Sequence, residues 1–370
     1  GLMKHRKWIK MILAAACTAA ALVLLMYLEF LMEGQKEPDP TEKVQVMAKD
    51  LYNGYGLEGN QELSDVIIYE NEEVSCYADR ILRRFSYDES QVQNTAGAVQ
   101  GMKDQNPSLE HIYVMPVPPR VALEEGYEAD QEAYQVYLER MASSLPEGTS
   151  LVDVLPELAG HEEEYVFFRT EDSWTAKGAY YGSSVLGRAM GLEPFSLENY
   201  EEYMYNSFKG SLLQKYDDDP QLAGRLDEMP EDRVYYYLLP DGKNRERIEK
   251  EEGQWSVQPA ISHAAGGLGT FISGGYLSAV VEGDQKRKMT GEETLLLICD
   301  DRGKLLAPFL ANYYKAVCVI NVTEDTGFSA DMAGILAEYG VKHVVWAQSP
   351  LYMGDMSYCG AVNGFLTQNE

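Results

Sequence analysis

Hydrophobic and polar positions divide the 370-residue chain into three regimes. From Met11 to Leu28 eighteen residues carry no charge. As a helix such a run is about 27 Å long, close to the hydrocarbon thickness of a bilayer. Residues 33–60 are rich in Glu, Lys, Gly and Asn and contain Pro38 and Pro40, a composition that predicts a stalk or linker. From residue 61 onward, short apolar runs alternate with helical periodicities. Ser64–Tyr69 predicts a first strand, and the spacing of Val74, Tyr77, Ala78, Ile81, Leu82 and Phe85 predicts a helix over 72–102. Ile112–Val117 reads as a strand closed by Pro118-Pro119, Gln131–Ser144 as a helix, and Ser150–Leu155 as another strand.

The middle of the chain turns on Tyr165–Tyr181. Tyr165–Phe168 predicts a strand, the polar residues after it a turn, and Thr175 an N-cap for a helix that continues through Gly182-Ser183-Ser184. A β-rich run, Val234–Leu239, ends at Pro240-Asp241-Gly242. The C-terminal third has the clearest pattern. Thr294–Cys299 is a continuous apolar strand, Lys304–Tyr314 a helix, Ala316–Asn321 a strand, Asp331–Tyr339 a helix closed by Gly340, and His343–Ala347 a last strand. Apolar strands separated by helices imply parallel pairing covered on both faces, so the predicted class is α/β, flavodoxin-like. In such sheets ligands sit beyond the carboxyl ends of strands, where Asp300 and Asp301 fall.

Charge sharpens the picture of the N-terminus. Lys4, Arg6, Lys7 and Lys10 precede the apolar run, and Glu33, Glu37 and Asp39 follow it. By the positive-inside rule, residues 1–10 form a cytoplasmic tail, 11–32 a signal anchor, 33–60 the stalk and 61–370 an extracytoplasmic domain. A cleaved signal peptide or a lipoprotein site at Ala14–Cys17 is the rival reading, but the uncharged run continues well past Cys17. The chain as a whole holds 31 basic against 59 acidic residues, a formal charge of −28, which disfavours nucleic acid as a partner. Five isolated cysteines suggest buried thiols and no disulfide framework. Gly266-Gly267-Leu268-Gly269 has no Lys-Ser/Thr sequel, and no metal or cofactor motif is present, so no cofactor is expected.

The stretch Phe168-Arg169-Thr170-Glu171-Asp172-Ser173-Trp174-Thr175-Ala176-Lys177-Gly178-Ala179-Tyr180-Tyr181-Gly182 resembles the DHHW family of SGNH-hydrolase-like proteins, kin of the alginate O-acetylation proteins. Members carry roughly "YRTDHHWTxxGAYYA" there. Their strand ending "LLIIKDSYANAFVPFL" is similar to Leu295–Leu310, and a segment like "FxGSLYSKxG" is similar to Phe208–Lys215. A glycine pair resembles Gly274-Gly275. The resemblance covers most of residues 60–350 and implies an SGNH-like parallel sheet.

It also implies acyl transfer at a Ser-His-Asp centre, in which histidine takes the serine proton and a carboxylate fixes the histidine tautomer. Here the family serine falls on Asp301, its Asp on Glu171 and its two histidines on Asp172 and Ser173; an Asn near the glycine pair falls on Gly275. Trp174, Asp300 and Arg302 are the remaining neighbours of that pocket. No catalytic residue is therefore expected, and the resemblance implies a non-catalytic protein of the cell surface. It would bind a polysaccharide, or a membrane acyltransferase or export protein, in an O-acetylation context. The alternatives are an active esterase or O-acetyltransferase with a non-standard constellation around Asp301, and a membrane-tethered assembly factor. A glycan binder should present aromatic faces near the strand tips, with Trp174, Tyr180 and Tyr181 as candidates. Convergence of Glu171, Asp172 and Asp301, perhaps with Asp300, on one rim would require Arg302, Lys304, solvent or a hard cation such as calcium to neutralise them.

Overall fold

A computed structural model describes residues 63–222, 224–239, 246–251, 254–261, 267–272, 279–282, 293–322 and 332–355. The expected membrane anchor, the stalk, His263 and Gly275 lie outside these residues. Among the described residues no helix is long and apolar enough to cross a membrane.

The chain enters through three short antiparallel strands, β1 (Ile67–Glu70), β2 (Val74–Tyr77) and β3 (Ile81–Arg83). The helix predicted over 72–102 is thereby corrected: its first half is β2 and β3, and only Glu89–Gln105 is helical (α1). Apolar residues three and four apart arise here from two strands joined by a tight turn, in which the Tyr77 amide bonds the Arg80 carbonyl at 2.8 Å. The helix begins where Asp88 can cap it, accepting from the Ser90 amide.

The main sheet is built from β4 (His111–Pro116), β5 (Thr149–Leu151), β8 (Glu246–Glu251), β9 (Gln254–Pro259), β10 (Ala279–Glu282), β11 (Thr294–Cys299), β12 (Ala316–Asn321) and β13 (His343–Gln348). Its order is β5-β4-β13-β11-β12-β10-β8-β9. The first five strands are mutually parallel, as the apolar runs imply, and the last three are antiparallel additions. Alternation along β11 serves both faces. Leu295, Leu297 and Cys299 join one core with α4 (Ala176–Ala189) and the segment Gly303–Leu310, while Leu296 and Ile298 join another with α1 and α2 (Glu128–Ser144).

Three other expectations need adjustment. Ser150–Leu155 is strand only to Leu151, and Leu155–Ala159 is the short helix α3. Tyr165–Phe168 is not a strand; Phe167 forms an isolated bridge with Trp174. Lys304–Tyr314 is a 3₁₀ turn at Gly303–Leu306 followed by a four-residue helix, Ala307–Leu310, because Pro308 has no N–H to extend a helix begun at Lys304. A two-stranded ribbon, β6 (Glu201–Phe208) with β7 (Asp232–Leu238), covers the motif from outside.

Candidate functional site

The motif turn is held from three directions. Thr175 caps α4 by accepting from the Gly178 amide at 3.3 Å, and its hydroxyl donates to the Tyr165 carbonyl at 2.6 Å. Within the turn, the Phe168 amide donates to Ser173 O and the Ser173 amide to Glu171 O. Asp232 at the start of β7 is fully buried and accepts from the amides of Arg169 (2.8 Å) and Thr170 (2.7 Å), the Thr170 hydroxyl (2.6 Å) and the Tyr165 phenol. Gly210 approaches so closely that a Cβ there would lie 2.3 Å from the Thr170 carbonyl. That is a physical reason for glycine in the Phe208–Lys215 segment, and it puts Ser211 beside Glu171.

The tip of β11 is equally fixed. Asp300 is buried; one carboxylate oxygen accepts from the amides of Arg302 and Gly303, both at 3.0 Å, and the other from the Ser349 amide at 2.9 Å. It therefore ties the turn after β11 to the end of β13. Gly303 lies against β13, where a Cβ would fall 2.0 Å from Ala347 O. Asp301 points away from this anchor. Its Oδ1 accepts from Lys304 Nζ and from Asn321 Nδ2, each at 2.9 Å. Lys304 is almost wholly buried, with 3% of its side chain exposed, while Asp301 is 40% exposed. Among the described residues, no partner engages Asp301 Oδ2. Burial opposes ionisation of Asp301, but the Lys304 ammonium and the hydrogen bonds from Lys304 and Asn321 outweigh it and hold the carboxyl below its ordinary range.

Arg302 joins the two halves. Its Nη2 lies 3.0 Å from Asp172 Oδ2, its Nη1 3.3 Å from Asp300 Oδ2, and its Nε donates to the Asp172 carbonyl. Arg83 at the end of β3 approaches the same Asp172 oxygen at 3.5 Å, and both guanidinium groups lie 5.2 Å from the centre of the Tyr352 ring. Burial works against the Arg302 charge, yet Asp172 and Asp300 hold its pKa above the usual value. Glu171 turns outward to Ser211, accepting from its amide (2.7 Å) and its hydroxyl (2.5 Å). Burial raises the Glu171 pKa, and the Ser211 hydrogen bonds offset only part of that. Ser173 is buried and its hydroxyl donates to Trp174 O at 3.0 Å.

The motif turn and the strand tip thus meet, but the four carboxylates do not share one rim. Glu171 goes to Ser211, Asp172 and Asp300 to Arg302, and Asp301 to Lys304 and Asn321. The alternative metal set of Glu171, Asp172 and Asp301 is corrected accordingly: among the described residues no three His, Cys, Asp or Glu converge to hold an ion. Neutralisation by Arg302 and Lys304 is what the fold provides. The aromatic candidates are also corrected, since Trp174 is fully buried and Tyr180 and Tyr181 nearly so; the aromatic ring at the strand tips is Tyr352. His111 bonds Ser150 and His343 faces Glu110, at the amino ends of their strands. His161 pairs with Glu164 and stacks on Tyr181. Lys304, Asn321, Arg83, Ser211, Ser349 and Asp232 are the residues that sequence reasoning left without these partnerships. Only Asn321, a polar side chain ending an apolar parallel strand, carried a visible signal.

A parallel sheet with helices on both faces and a side-chain cluster beyond its carboxyl ends defines an α/β protein of the SGNH-hydrolase-like class. The chain belongs to the DHHW family, whose model, described as DHHW protein, matches residues 136–320, half of the chain. A crystal structure of a DHHW family protein from Eubacterium siraeum is similar at a TM-score of 0.68 and 17% identity, covering 82% of this chain and 100% of that one. Bacillus cereus PatB1 with a sulfonyl adduct is similar at a TM-score of 0.61 and 13% identity, covering 79% of this chain and 99% of that one. A second structure of the same protein gives a TM-score of 0.59 at 15% identity, covering 80% of this chain and 99% of that one. At these identities the likeness concerns the fold. No curated protein sequence matches the chain.

Proposed function

We propose that this protein is anchored in the membrane through residues 11–32, holds its SGNH-like domain outside the cytoplasm, and binds a cell-surface polysaccharide or a protein partner without the family's ester chemistry. The setting, by family, is polysaccharide O-acetylation or export. One observation carries the non-catalytic part: the positions that the family resemblance gives to serine and histidine hold Asp301 and Asp172, each locked in an ion pair, with Lys304 and with Arg302. Ser173 has no base beside it, and an alcohol without a base is a poor nucleophile at neutral pH. The test is hydrolysis of p-nitrophenyl acetate by the purified domain. The expected rate equals that of a heat-denatured control; turnover well above it and abolished by Asp301→Ala overturns the reading.

A second reading, an active constellation around Asp301, is favoured by one contact. Lys304 Nζ lies within hydrogen-bonding reach of Asp301 at 2.9 Å, close enough for a proton donor to act at that carboxylate.

A further inference from the structure

We propose that Asp301 is a carboxylate nucleophile toward saturated carbon, with Lys304 as the acid that protonates the departing oxygen. The inference rests on the second reading above and names its chemistry. A serine nucleophile needs a base because its hydroxyl is protonated at neutral pH; a carboxylate is already ionised and needs none. The loss of histidine from Asp172 and Ser173 is therefore consistent with an aspartate in the nucleophile's place, whereas it is fatal to a serine.

The geometry supplies the other requirements. Asp301 ends the central parallel strand β11, at the edge where ligands sit in this fold class. Oδ1 is clamped by Lys304 and Asn321, which fixes the orientation of the carboxylate, and Oδ2 is left without a partner among the described residues. With two-fifths of the side chain exposed, Oδ2 is accessible, and the two donors on Oδ1 remain to hold the carbonyl oxygen of an ester formed at Oδ2. The pairing with Lys304 also keeps the carboxyl ionised over the neutral range.

The substrate class is a carbon electrophile whose leaving atom is oxygen, such as an epoxide. Oδ2 attacks the ring carbon and a new C–O bond forms. The ring C–O bond breaks, its electron pair stays on the departing oxygen, and that oxygen takes a proton from Lys304 Nζ. The products are a hydroxyalkyl ester of Asp301 and a neutral Lys304 amine; every atom of the epoxide is retained, and no oxidant or co-reactant is needed.

The experiment incubates the full chain with phenyl glycidyl ether at neutral pH and maps adducts by peptide mass spectrometry before and after hydroxylamine, which cleaves esters and leaves cysteine thioethers intact. The expected result is a hydroxylamine-sensitive adduct on Asp301, formed ahead of any other acidic side chain and absent in Asp301→Asn. Lys304→Arg keeps the ion pair but holds its proton far more tightly, so labelling falls by about a hundredfold or more while the thermal melt confirms a folded chain. No ester at Asp301, esters spread evenly over acidic side chains, or undiminished labelling in folded Lys304→Arg each overturn the inference. Labelling without p-nitrophenyl acetate turnover supports it and separates it from ester chemistry; ester turnover without labelling leaves an active site and removes this nucleophile.

Discussion

The indole nitrogen of Trp174 donates to the main-chain carbonyl of Arg302 at 2.9 Å, joining the motif turn to the tip of β11 across 128 residues of sequence. The ring itself is fully buried on α4, where a Cβ added at Gly182 would come within 2.7 Å of it. The tryptophan and the glycine are therefore one packing unit, and the carbonyl that the indole satisfies belongs to the residue whose side chain binds Asp172.

Trp174→Phe should keep most of the apolar contact but leave the Arg302 carbonyl without its donor, a loss of about 1–3 kcal/mol. Gly182→Ala should overpack the same contact at a similar cost. The two substitutions together should cost less than their sum, because the smaller ring makes room for the methyl. Urea unfolding of the four chains checks this; strict additivity would show that the glycine and the ring are not coupled.

The Asp172–Arg302 pair is nearly buried on both sides, 10% and 12% exposed. Arg302→Met strands Asp172 in a poorly solvated place and should cost about 3–5 kcal/mol. Asp300 keeps three main-chain donors and is less affected. Adding Asp172→Leu removes the stranded charge, so the double variant should recover most of the loss in a denaturant melt.

Two carboxylates near the junction should respond oppositely to pH. The Asp301 pKa is depressed in the fold, so its pairing stabilises the native state above the ordinary carboxylate pKa and is lost as pH falls through the depressed value. The Glu171 pKa is raised from its usual 4.5, so its contribution is present below that value and lost as pH rises through the raised one. Asp301→Asn should therefore destabilise the protein at neutral pH, and Glu171→Gln should leave it unchanged or more stable. Both differences should shrink by about pH 4, near the ordinary carboxylate range. Denaturation midpoints at the two pH values decide; a loss of stability at neutral pH in Glu171→Gln would show that its bonds to Ser211 outweigh burial.

His111 gives a third pH signal. Burial first, then the charges of His343 and Lys103, lower its pKa from 6.5. The stability tied to its neutral form is complete above about pH 6.5 and falls as pH drops through the depressed value. His111→Gln should flatten the melting temperature between neutral and mildly acidic pH, as followed by a pH series of thermal melts.

Topology is tested on intact cells. With a basic flank before Met11–Leu28 and the acidic chain after it, external protease should release a large fragment from residues 33–370. Full protection of that fragment until the cells are lysed would overturn the proposed orientation.

The sheet was legible in the sequence because strands buried on both faces must be apolar throughout, and Leu295–Cys299, Ala316–Ile320 and Val344–Ala347 have no other use for such runs. Thr175 was legible as a cap for a similar reason: its hydroxyl is needed within a few residues of itself. Short-range rules failed at 72–102, where two strands and a turn imitate helical spacing, and at Lys304–Tyr314, where Pro308 limits the helix. Tertiary structure alone decided the destinations of the charges. That Asp172 meets Arg302, Asp301 meets Lys304 and Asn321, and Glu171 meets Ser211 depends on where β3, β12 and the Phe208–Lys215 segment arrive. A carboxylate's local sequence does not specify its partner; Coulomb attraction acts through space, and a fold places in contact groups that the chain keeps over a hundred residues apart.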